Sequence, residues 1–136
     1  MAATGKYSSA PTLNDIEAIA GEAFATIPDA LTAHVADVAI HVVDFPDEET
    51  LEALELESPF DLLGLYQGIS LDQKSVADTV TDIDRIYLYR RPLLDYWCET
   101  GEDLYHVVRH VLIHEIGHHF GFSDDDMEAI EARAAS

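Results

Sequence analysis

The sequence predicts an α/β chain of the mixed α+β kind, and three observations carry that prediction. Leu13 to Ile27 repeats apolar residues at helical spacing, and two stretches, Val35 to Phe45 and Asp84 to Arg90, read as strands. Near the end, a long helix carries the run His114-Glu115-Ile116-Gly117-His118-His119-Phe120-Gly121-Phe122-Ser123-Asp124. At 136 residues the chain has the size of one domain with one core.

Residues 1–11 are small and polar and are expected as a mobile tail, with residues 12–136 forming one domain. Thr12 and Asp15 offer a capping box for a first helix. Its apolar face is Leu13, Ile16, Ile19, Ala20, Ala23, Phe24 and Ile27, and Pro28 ends it. Val38, Ile40, Val42 and Val43 mark a strand of high expected burial that stops at Asp44-Phe45-Pro46. A helix from Glu48 to Leu56 follows, then extended chain over Leu62 to Gly68, where the two glycines suggest close backbone approaches. Asp84 to Arg90 alternates Arg85, Tyr87 and Tyr89 against Ile86 and Leu88, a strand with one apolar face. Pro92 opens a short helix through Trp97. Thr100 with Asp103 is read as a cap, so the motif helix is expected over Gly101 to His119. Gly121 stops that helix, because glycine takes the positive φ that turns the chain back. Ser123 with Asp126 then caps a last helix to about Arg133.

Composition excludes several functions. Seven Lys and Arg stand against 27 acids, a formal net charge of −20, so neither nucleic acid nor an anionic membrane is an expected partner. No signal peptide and no membrane-length apolar run stands in the sequence, and a cytoplasmic location is expected. Cys98, the only cysteine, is expected as a partly buried small hydrophobe with no redox role. Eight acids and no Lys or Arg lie between Asp44 and Asp61, which reads as a solvated loop and helix face.

The chemistry concentrates in the His114 run. Two histidines four positions apart on a helix differ by about 40° in azimuth and about 6 Å in height, so both imidazoles reach one metal ion. Extended by Gly121 and Asp124, the pattern His-Glu-x-x-His-x-x-Gly-x-x-Asp arises by chance roughly 0.0003 times in a chain of this composition. The glycine turn brings Asp124 toward the ion, giving His114, His118 and Asp124 as three ligands and leaving a position for water, the arrangement of a catalytic zinc site. Glu115 is placed as general base, taking the proton of a metal-activated water and passing it to a leaving amine. The expected activity is zinc-dependent hydrolysis of peptide or amide bonds. Asp125, Asp126 and Glu128 are the nearby rivals of Asp124. His119 lies about 140° around the helix from His114 and faces elsewhere. His106 and His110 extend the ladder backward and read as satisfied or solvent-facing histidines. Tyr66, Tyr87 and Tyr89 are possible oxyanion donors but read first as packed strand residues, outside the site.

From His114 to Asp124 the sequence resembles the zincin superfamily, and the run through Met127 is similar to the small bacterial zincin-like metallopeptidases called minimal zincins. Asp61 to Gly68 and Arg85 to Arg90 resemble other recurring segments of that family. The resemblance implies a compact fold with helices packed on a small mixed sheet, zinc at His114, His118 and Asp124, Glu115 as base, and a peptide or protein substrate. Two departures from larger zincins stand out. Met127 follows Asp124 by three residues, too soon for a methionine turn, and is expected in the core. A later glutamate ligand, with only Glu128 and Glu131 to supply it, is disfavoured. Little chain follows Asp124, so either the site is open and accepts short or flexible peptides, or a partner or second subunit supplies the missing wall, or activity has lapsed. The competing reading is a non-catalytic module that zinc stabilises for protein interaction.

Overall fold

A computed structural model describes residues 9–33, 35, 38–68 and 84–135. Among the described residues six α-helices surround a three-stranded mixed sheet, the architecture read from the sequence. Of the tail expected over residues 1–11, residues 1–8 lie outside the described residues; Pro11 is buried, and its carbonyl accepts from Arg90 Nε at 2.6 Å. Helix α1 (Leu13–Ala25) starts at the expected capping box: the Thr12 hydroxyl accepts from the Asp15 N–H, and the Asp15 carboxylate accepts from the Thr12 N–H. A single turn, α2 (Asp29–Thr32), follows Pro28 and was not foreseen. It is too short for a periodicity, and Leu31 alone anchors it in the core.

Strand β1 (Val38–Val43) is shorter than expected and only half-buried, not deeply buried. The sheet explains this. Its order is β1, then β3 (Asp84–Tyr89), then β2 (Gly64–Gln67), with β1 parallel to β3 and β2 antiparallel to it. Among the described residues β1 and β2 are therefore the edges, and β3 alone supplies the central strand with Ile86 and Leu88 fully buried.

Helix α3 (Glu48–Ala53) ends earlier than its composition suggests because Glu55 takes a left-handed conformation, φ +56°, letting Leu56 N–H reach the Leu51 carbonyl. At its start Asp47 is the N-cap, accepting from the Thr50 N–H at 2.7 Å, and hydrogen bonding by the Thr50 side chain and then its backbone holds the exposed carboxyl below its usual range. Part of the acidic segment is thus helix-start chemistry: Asp47, Glu48 and Glu49 all sit at the positive end of α3.

Helix α4 (Arg90–Thr100) is longer than the predicted Pro92 to Trp97 and begins before the proline, which a helix tolerates within its first turn. Thr100 is its last residue rather than a cap for the next helix; Gly101, φ +72°, makes the turn. The motif helix α5 (Leu104–His119) is accordingly shorter at its start, with Asp103 as N-cap accepting from the His106 N–H at 3.3 Å. Cys98 on α4 is exposed rather than partly buried. Helix α6 (Asp124–Ala135) begins at the reciprocal Ser123–Asp126 box, as expected.

The core lies between α5, α1 and the sheet. Leu112, Ile113 and Ile116 of α5, Ile16 and Ala20 of α1, and Ile86 and Leu88 of β3 are all fully buried. Gly64 lets β2 approach α5, since a Cβ there would meet Val111 Cγ1 at 2.7 Å. Among the described residues no helix is long and apolar enough to cross a membrane.

Candidate metal centre

Helix α5 buries most of its circumference, and one stripe stays accessible. His106, His110, His114 and His118 follow one another along that stripe at four-residue intervals. The His110 and His114 rings lie with centroids 4.0 Å apart, and the His114 and His118 rings 5.8 Å apart. At the end of α5, Gly121 at φ +80° reverses the chain, with Phe122 N–H donating to the Gly117 carbonyl at 2.8 Å. The Ser123–Asp126 box then starts α6 so that Asp124 returns to the stripe.

His118 Nε2 and Asp124 Oδ1 are 3.8 Å apart, and donor atoms of His114, His118 and Asp124 all lie within 4.8 Å of one another. Of the three consecutive aspartates, Asp124 is the one that joins the histidines, whereas Asp126 closes the helix cap. The side chains of His114, His118 and Asp124 are 21%, 59% and 83% exposed, so the cluster opens outward on the Asp124 side. Two imidazoles and a carboxylate form the mixed nitrogen and oxygen set that zinc takes, and their spacing needs only small side-chain movements to converge on one ion.

Glu115 sits one residue past His114. Burial raises its carboxyl above the ordinary value, against the pull of His118 and a hydrogen bond from the backbone of Tyr66, which lower it. The Tyr66 backbone thereby ties the edge strand β2 to this carboxylate. His114 is shifted down, first by burial and then by the neighbouring His110, with Glu131 opposing. Both shifts favour the forms that metal chemistry uses on this helix: a neutral imidazole and a carboxylate that takes up a proton more readily than an exposed one.

His119 faces away from the ladder, as expected, and lies face to face with Tyr66, ring centroids 4.1 Å apart. The Tyr66 hydroxyl donates to Asp84 Oδ2 at 2.6 Å, so this phenol is engaged by the sheet. Tyr87 and Tyr89 stack on each other on the opposite sheet face from Tyr66, and burial first, then the charges of Asp47, Tyr87 and Glu115, push the Tyr89 phenol up to about 12. Met127 is fully buried.

Glu131, disfavoured on the sequence, is the residue that reasoning along the chain missed. Its carboxylate lies 3.1 Å from His114 Nε2 and 3.0 and 3.1 Å from His110 Nδ1. A signal was present: seven residues from Asp124, Glu131 falls on the same face of α6, two turns along. Donor atoms of His110, His114 and Glu131 form a second group within 4.8 Å.

A family model described as zincin-like metallopeptidase matches residues 35–134 of the chain. No curated protein matches it.

Proposed function

We propose that this chain, which belongs to the zincin-like metallopeptidase family, is a zinc-dependent peptidase in which His114, His118 and Asp124 hold the ion and Glu115 is the general base. One observation carries this reading: three donors of zinc-binding type lie within 4.8 Å of one another beside a carboxyl that burial has made a better proton acceptor. When bound, zinc supplies Lewis acidity, acidifying water and polarising a carbonyl oxygen.

The chain's own residues do the rest. Glu115, held by the Tyr66 backbone, accepts a proton from water and delivers it to the leaving amine nitrogen. The imidazoles of His114 and His118 are presented outward by the buried face of α5, so their orientation costs the fold little. Strand β2 is a sheet edge among the described residues and is anchored to Glu115, and an extended peptide adds to such an edge through backbone hydrogen bonds. That arrangement supports a peptide substrate lying along β2. The exposure of Asp124 and His118 suits short or flexible segments.

The test is mass-spectrometric analysis of a mixed peptide library incubated with zinc-loaded wild type and Glu115→Gln. Wild type cleaves, and Glu115→Gln loses ~10²-fold or more in rate while still binding one zinc. Identical behaviour of the two proteins defeats the reading.

A further inference from the structure

His114 belongs to two groups of ligand-type side chains at once, one with His118 and Asp124 and one with His110 and Glu131. In a tetrahedral zinc site with bonds of about 2.0–2.1 Å, donor atoms stand about 3.3 Å apart. The Glu131 carboxylate is 3.1 Å from His114 Nε2 and 3.0 Å from His110 Nδ1, within a few tenths of that spacing. The His118–Asp124 separation, 3.8 Å, departs further from it. Glu131 is also the better enclosed carboxylate, its side chain 27% exposed against 83% for Asp124.

We propose that His110, His114 and Glu131 form a second divalent-cation position, which competes with the first for the His114 imidazole. One ion then has two alternative seats along α5, on either side of the shared His114, and filling one empties the other. In the second seat the ion takes the place of the ring N–H groups that face Glu131: a neutral imidazole shifts its one proton to its other nitrogen, and a doubly protonated one releases a proton to water. The fourth position is reachable by water, because a cavity of about 290 Å³ lined by Tyr96, Glu102, His106, His110 and Glu131 opens beside it. An ion held there occupies His114 and leaves His118 and Asp124 without metal. The second seat therefore stores the ion where it does not serve Glu115.

The proposal meets the active-site reading only at His114, and calorimetric zinc titration of metal-free protein separates the two. The double variant His118→Ala with Asp124→Asn, which dismantles the first seat, is expected to bind one zinc per chain. Adding Glu131→Gln or His110→Ala to it is expected to weaken that binding at least ~10-fold. His110 is exposed, so its variant reports on the ligand rather than on folding, and circular dichroism verifies each chain. Absence of binding to the double variant at millimolar zinc overturns the proposal, as does a Glu131→Gln addition that changes nothing. The reverse variant, His110→Ala with Glu131→Gln in the otherwise unaltered chain, reads the first seat. Loss of all zinc there, with binding kept in the double variant, upholds the second seat and sinks the active-site assignment.

Discussion

Met127 packs directly against the bare α-carbon of Gly117: a methyl group there would lie 2.8 Å from Met127 Cγ. This contact is inside the His114 run, and it sets how closely α6 approaches α5. Asp124 and Glu131, on one face of α6, reach the histidine ladder because that approach is close. Gly117→Ala gains about 1 kcal/mol of helix propensity but overpacks the junction at a cost of about 1–3 kcal/mol. We expect a net loss of up to about 2 kcal/mol, read as a fall in melting temperature of up to about 7 °C by calorimetry, together with weaker zinc binding. An unchanged melting temperature would show that Met127 moves aside freely.

Glu115 is buried and its carboxyl is raised. A carboxyl whose folded value exceeds its unfolded value destabilises the fold fully above the folded value, and the penalty disappears below the unfolded one. In metal-free protein, Glu115→Gln is thus expected to be more stable than wild type at pH 7 to 8. The advantage shrinks as pH falls through the raised value toward the ordinary 4.5. Denaturant melts of the two metal-free proteins across pH check it.

Burial, and then the hydrogen bond and charge of Asp84, push the Tyr66 phenol above the ordinary value of 10. Its stabilising effect is complete below pH 10 and is lost as pH climbs toward the raised value. Tyr66→Phe is expected to cost about 1–2 kcal/mol at pH 7. The gap from wild type should narrow in melts run above pH 10. A constant gap across that range would mean that the fold does not raise the phenol.

Zinc removal separates the enzyme from a module that zinc stabilises. The core residues Ile16, Ile86, Leu88, Leu112 and Ile116 are fully buried without help from the metal cluster, whose ligands line an accessible stripe. Chelation is therefore expected to lower the melting temperature only by the mass-action contribution of binding, about 3 kcal/mol at 100-fold saturation, and to leave the far-ultraviolet dichroism intact. Unfolding at room temperature on chelation would favour the module.

Glu55 adopts φ +56°, a left-handed conformation that costs a residue with a β-carbon about 1–2 kcal/mol. Glu55→Gly is expected to raise stability by about 0.5–1 kcal/mol, the greater freedom of glycine in the unfolded chain offsetting part of the relief. Equilibrium urea melts measure it.

Single elements and their ends were legible in the order of residues alone. The i, i+4 spacing places His114 and His118 on one stripe whatever surrounds α5, and Glu115 beside them follows from the same helix. The Thr12–Asp15 and Ser123–Asp126 boxes and the Gly121 turn were legible because each joins residues no more than five positions apart. Reading failed at the Thr100 to Asp103 junction, where two caps compete within four residues and the packing of Trp97 and Leu104 decides between them. Tertiary structure alone decided the rest. It made β1 an edge strand and therefore half-buried, although its composition reads as interior. It turned the Tyr66 backbone toward Glu115, and it brought Glu131 to His110 and His114. That last meeting depends on the angle and distance between α5 and α6, fixed by Gly117 against Met127 and by Arg109, whose Nη1 donates to the Glu131 carbonyl at 3.4 Å. Periodicity reports which face of a helix a residue occupies; only the packing of two helices reports which residues of those faces meet.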